Sequence, residues 1–131
     1  MRFEYSSSGS GRVQMRERQS RDRAAMPDLR SRFPQFSALR LTFEFSGKGP
    51  FTPASQLAVL HPPAPAYFVF PCPYSDCSGE FDLSIPIASM ATDRRGSCAG
   101  RLHCSGHRNF DSRIRAQCTL MLEFHVEANP A

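Results

Sequence analysis

Apolar and polar residues alternate strictly in two stretches far apart in the chain. Leu39, Leu41, Phe43 and Phe45 fall on one side of an extended segment and Arg40, Thr42 and Glu44 on the other, the period-two pattern of a half-buried strand. Leu120, Leu122, Phe124 and Val126 repeat it, with Met121, Glu123, His125 and Glu127 facing the opposite way. Both segments carry four large apolar side chains over a similar length, so they are expected to pair. Between them, residues 66–70 read as a strand. Residues 52–60 read as one or two helical turns, with Thr52 as N-cap and Pro53 in the first position. Phe81, Leu83, Ile85 and Ile87 also alternate, but Ser84 capping a short helix over residues 85–91 is a rival, because Pro86 weakens the second half of a strand. The pattern predicts a mostly β fold: a small antiparallel sheet of about four to five strands with one or two short helices.

The first 32 residues show no such periodicity. They hold a Ser/Gly run followed by Arg, Glu, Gln and Asp, without three adjacent aliphatic residues, which is too little apolar area to offset the entropy of ordering. Residues 1–35 are therefore expected to be a disordered basic leader, with a short helix over residues 15–25 as the one ordered option, and residues 36–131 to be the folded domain. Met26 is the favoured start of translation. The net charge of +4 resides in the leader, which has eight arginines against four acids, and the remainder is formally neutral. No apolar run has the length of a signal peptide core or a membrane span, so the default compartment is the cytoplasm and no membrane partner is expected.

At 131 residues the chain is too short for the large nucleotide-binding and barrel enzymes, and it lacks the His-Glu-x-x-His, phosphate-loop, deaminase and Gly-x-Ser-x-Gly patterns. Asp76, Glu80 and Asp82 form a local carboxylate group, for which solvation is the ordinary role. No enzyme and no small-molecule substrate are expected.

Five cysteines, at 72, 77, 98, 104 and 118, carry the distinctive chemistry. An odd count without an export signal speaks against a disulfide framework. Cys72 and Cys77 flank a Pro/Ser/Asp/Gly turn between two expected strands, the arrangement of a zinc knuckle in which both sulfurs turn inward toward one ion. The second pair has three versions. Cys104 with Cys118 places one ligand at the end of a strand near residues 101–104 and the other at the start of the last strand, although thirteen residues separate them. Cys98 with Cys104 encloses a shorter loop. His107, in Cys104-x-x-His107, is the third; exposed or hydrogen-bonded roles are the ordinary ones for His61, His103, His107 and His125.

The segment Phe-Pro-Cys-Pro-Tyr-Ser-Asp-Cys-Ser-Gly-Glu-Phe-Asp-Leu (70–83), followed by Cys104-x-Gly106-x-Arg108 and Cys118-x-Leu120-x-Leu122, resembles short bacterial zinc-ribbon-like proteins over roughly residues 38–128. The resemblance implies a structural Zn²⁺ held by Cys72, Cys77, Cys104 and Cys118, with Cys98 as the extra thiol, and it implies no activity. Four thiolates around one Zn²⁺ leave a charge of about −2. Arg94, Arg95, Arg101, Arg108, Arg113 and Arg115 lie near the second pair in sequence and are candidates to offset it. Two functions follow as expectations: a non-catalytic accessory module that binds a protein partner, and a nucleic-acid-binding ribbon using the Arg94–Arg115 cluster, with Tyr67, Phe68 or Tyr74 stacking on bases. The neutral body favours the first.

Overall fold

The computed structural model describes residues 10–48, 51–109 and 115–130. Its centre is the expected strand pair. β1 (Phe36–Ser46) runs antiparallel to β8 (Met121–Pro130), with Leu41 opposite Val126, Phe43 opposite Phe124 and Phe45 opposite Leu122. Matched apolar residues share a face, so Leu39, Leu41, Phe43, Leu122, Phe124 and Val126 are all buried on the inner side. β2 (Gln56–Leu60) and β5 (Ser97–His103) flank the pair, giving a four-stranded antiparallel sheet in the order β2-β1-β8-β5. β5 brings Cys98, Gly100 and Leu102 opposite Val126, Phe124 and Leu122. Gly100 is needed there, because a Cβ would meet the Phe124 ring at 2.9 Å.

Two short hairpins complete the β structure. β3 (Val69–Pro71) pairs with β4 (Glu80–Asp82), and β6 (His107–Asn109) pairs with β7 (Arg115–Gln117). The first hairpin lays its aromatic residues on the inner face of the sheet: Phe70 meets Phe43 edge-on at 5.0 Å between centroids, and Phe81 lies 6.3 Å from Phe45. α2 (Leu29–Arg32), started by Asp28 Oδ1 accepting from Ser31 N, buries Leu29 in the same core, and α3 (Ser84–Thr92) buries Ile87, Met90 and Ala91. No helix among the described residues is long and apolar enough to cross a membrane.

Four expectations change. The strand expected over residues 66–70 is shorter and shifted, at Val69–Pro71. Residues 52–60 are not helical; their second half is β2, because Ala58 and Leu60 sit opposite Leu41 and Leu39 and thereby extend the core face, an alternation that outweighs the Thr-Pro start signal. Of the two readings for residues 81–91, the helix is found. Ile87 is fully buried while Ile85 is 80% exposed, and Pro86 lies in the first turn, where its missing N–H has no intrahelical role. Ser84 is the first helical residue rather than the cap, its N–H donating to Asp82 Oδ1.

The leader shows the largest difference. Residues 10–25 form α1 (Ser10–Ala25), longer than the 15–25 helix that was the ordered option, so the expected disorder of residues 1–35 does not extend over this helix or α2. The apolar poverty is real, since among its described side chains only Met15 and Gln19 are buried. Polar contacts hold it instead. Gln19 Nε2 and Arg18 Nη2 both donate to Glu80 Oε1, at 2.9 and 2.8 Å, and Arg23 stacks over the Tyr67 ring.

Candidate metal centre

Cys72, Cys77, Cys104 and Cys118 come together, all four buried, with every Sγ within 4.8 Å of the others. Cys72 and Cys118 are 4.0 Å apart and Cys77 and Cys104 3.5 Å, well beyond disulfide length. Four sulfurs placed tetrahedrally at about 2.3 Å from one ion would lie about 3.8 Å apart. The observed spacing brackets that value, so the four cysteines are positioned to hold a metal ion.

The backbone builds each half from the same parts. In the first, Cys77-Ser78-Gly79 turns so that Gly79 N–H donates to Cys77 Sγ (3.3 Å), while Cys72 N–H donates to Gly79 O (3.0 Å). In the second, Cys104-Ser105-Gly106 turns so that Gly106 N–H donates to Cys104 Sγ (3.4 Å), while Cys118 N–H donates to Gly106 O (2.9 Å). One cysteine of each half thus lies within a Cys-Ser-Gly turn, and the other is held against that turn's glycine. The lone cysteine precedes its turn in the first half and follows it in the second. The two glycines face each other: a Cβ on Gly79 would be driven into Cys104 Sγ, and one on Gly106 into the Gly79 backbone.

The thirteen residues between Cys104 and Cys118 no longer count against their pairing. β6 and β7 fold back as a hairpin of their own, while Cys104 N–H donates to Leu120 O, so both cysteines stand where that hairpin leaves the main sheet. Further hydrogen bonds join the halves. Ser78 N–H donates to His107 O, His107 N–H to Ser78 Oγ and Asn109 N–H to Asp76 O, each at 3.2 Å.

Burial and mutual hydrogen bonding set the thiols apart. Hydrogen bonds to Cys104 and Cys77, followed by burial, push the Cys72 thiol well above its usual range. Cys77, which accepts from Cys104 and Cys72 and from Gly79 N–H, is pulled down to about 2. For Cys104, accepting from Cys72 acts downward, but the contact with Cys77 and burial outweigh it and raise the thiol to about 12. Without a cation, the raised Cys72 and Cys104 thiols therefore retain protons that a metal would displace.

Two arginines border the centre. Arg108 donates to Asp76 Oδ1 at 2.9 Å, and its guanidinium lies 3.7 Å from the centroid of the Tyr74 ring. Arg12, from the first turn of α1, donates through Nη1 to the carbonyls of Cys72 (2.7 Å), Tyr74 (2.8 Å) and Cys77 (3.1 Å). Arg12 was not among the sequence candidates, and at sixty residues from Cys72 nothing in the local pattern points to it. The repeated Cys-Ser-Gly tripeptide was a legible signal for Gly79 and Gly106.

The other candidates fall elsewhere. Cys98 is half-buried on β5, outside the cluster, its thiol raised mainly by burial, and the four histidines are exposed. The Arg94–Arg115 group is not one patch. Arg94 and Arg95 follow α3 at the Ser97 end of β5, roughly 20 Å of strand from the cysteines at about 3.3 Å per residue. Arg101 pairs with Glu123, and Arg113 and the side chain of Arg115 lie outside the described residues. The carboxylates are engaged as well: Asp76 by Arg108, Glu80 by Arg18 and Gln19, and Asp82 by Ser84 N–H.

Fold and site together define a β-rich domain with a four-cysteine cluster suited to a metal ion. Comparison with protein-family models, curated proteins and solved structures gave no match.

Proposed function

We propose that the cluster is a structural zinc site and that the protein is a non-catalytic accessory module that binds a protein partner. One observation carries the metal assignment: four buried sulfurs all within 4.8 Å of one another, supplied by two half-sites, each with a Cys-Ser-Gly turn whose glycine amide points at sulfur. Soft thiolate donors in that geometry suit Zn²⁺, and four protein ligands leave no open position for a substrate or an activated water. Zinc would cross-link two three-residue hairpins that have too few strands to be stable alone.

The accessory role draws on the outer face of the sheet. There the edge strand β2 leaves Leu57 and Val59 more than half exposed, beside Arg40 and Thr42 of β1. The nucleic-acid reading has less support, because Arg94 and Arg95 lie at the opposite end of β5 from the cysteine cluster and Arg101 and Arg108 are already paired. Elemental analysis of untagged protein is expected to find close to one zinc per chain. A metal-free protein with both hairpins fully protected from hydrogen exchange would refute the zinc assignment. A pull-down with and without chelator, repeated with Leu57→Lys and Val59→Lys, tests the partner face.

A further inference from the structure

In the Cys72–Cys77 turn Gly79 N–H donates to Cys77 Sγ and Cys77 N–H to Tyr74 O, and a carbonyl oxygen, with two lone pairs, can accept a second donor. Three carbonyl oxygens, on Cys72, Tyr74 and Cys77, converge on a single nitrogen of Arg12 at 2.7 to 3.1 Å. Such convergence requires the turn to be closed, because Cys72 and Cys77 must be drawn together before both carbonyls reach the same guanidinium. The same cation lies beside a centre that carries about −2 when four thiolates hold Zn²⁺. α1 buries only Met15 and Gln19 among its described side chains and is otherwise held by the polar contacts of Arg18 and Gln19 with Glu80 and of Arg23 with Tyr67; a 16-residue polar helix is marginal in isolation, so each anchor counts.

We propose that Arg12 is a positioning residue of the metal centre and that docking of α1 and metal binding are coupled through it. The inference rests on the zinc reading of the four cysteines. A metal-closed turn presents the three carbonyls that Arg12 grips, and the docked arginine keeps the turn closed around the metal. Coupling of this kind is reciprocal: whatever factor the metal contributes to docking of the helix, the docked helix contributes to metal affinity. Charge-assisted hydrogen bonds to three carbonyls set that factor at about tenfold or more.

The test uses the full chain, zinc as the probe, a chromophoric chelator for affinity, and hydrogen exchange of the α1 amides for docking. Arg12→Ala is compared with Arg21→Ala, which removes the same charge from an exposed position on the same helix. Arg12→Ala is expected to weaken zinc binding by about tenfold or more and to speed exchange in α1 by a similar factor, with β1 and β8 unchanged, while Arg21→Ala does neither. Stoichiometric zinc in the parent, with Arg12→Ala and Arg21→Ala of equal affinity, would overturn the coupling and leave the zinc reading intact. So would a loss of affinity that leaves α1 exchange untouched. A parent chain that binds no zinc would overturn both. Should Arg12→Ala not fold, zinc titrated into the metal-free parent decides: α1 protection rising in step with occupancy supports the coupling, and full protection before zinc is added overturns it.

Discussion

Among the described glycines, Gly79 and Gly106 have the least room for a side chain, where two turns meet beside the sulfurs. Their replacement is a sharper test of the site than loss of a distant contact, because a single methyl group has nowhere to go. Gly79→Ala and Gly106→Ala are each expected to lower zinc affinity by at least about ten- to a hundredfold, measured by competition with a chelator. Gly96→Ala, with open space around its Cβ, serves as the control. The ligands are tested separately. Cys104→Ser and Cys118→Ser should abolish or greatly weaken binding, whereas Cys98→Ser should leave zinc content unchanged, since Cys98 lies outside the cluster. The raised Cys72 and Cys104 thiols fix the direction of the pH dependence. Both hold protons at neutral pH in the metal-free protein, and zinc must displace them, so affinity rises with pH and the ion is released on acidification. Each displaced proton corresponds to about tenfold in affinity per pH unit, read from titrations at neighbouring pH values.

Among the elements, the strand pair β1 and β8 was legible from sequence because burial on one face of a sheet writes a period of two directly into residue type. Of the four clustered cysteines, Cys72 and Cys77 were legible as thiols across a Pro/Ser/Asp/Gly turn, whereas the residue pattern left three versions of the second pair open and only the resemblance favoured Cys104 with Cys118. β2 was not, because its alternation of Gln56, Ala58 and Leu60 with Leu57 and Val59 has apolar residues on both faces and the capping signal at Thr52 was the stronger local cue. α1 was read only in part, because its stability lies in contacts sixty residues away, with Glu80 and the Cys72–Cys77 turn, and no window of local sequence contains both partners. At this scale the packing of β5 on β8 gives a stability prediction. Gly100→Ala places a Cβ against the Phe124 ring and should cost about 1–3 kcal/mol in denaturant unfolding, without changing zinc stoichiometry.

For the whole molecule, β8 is last in chain order among the described strands yet lies between β1 and β5 in the sheet, and Cys118 is the last cysteine of the cluster. During synthesis, therefore, Leu39, Leu41 and Phe43 emerge from the ribosome well before the residues that will cover their strand edge, and three of the four sulfurs wait for the fourth. Neither the sheet nor the metal site can close until residues 118–130 are free. Assembly of the sheet thus depends on non-local pairings that slow the process, and an unpaired β1 edge has to be kept from other chains meanwhile.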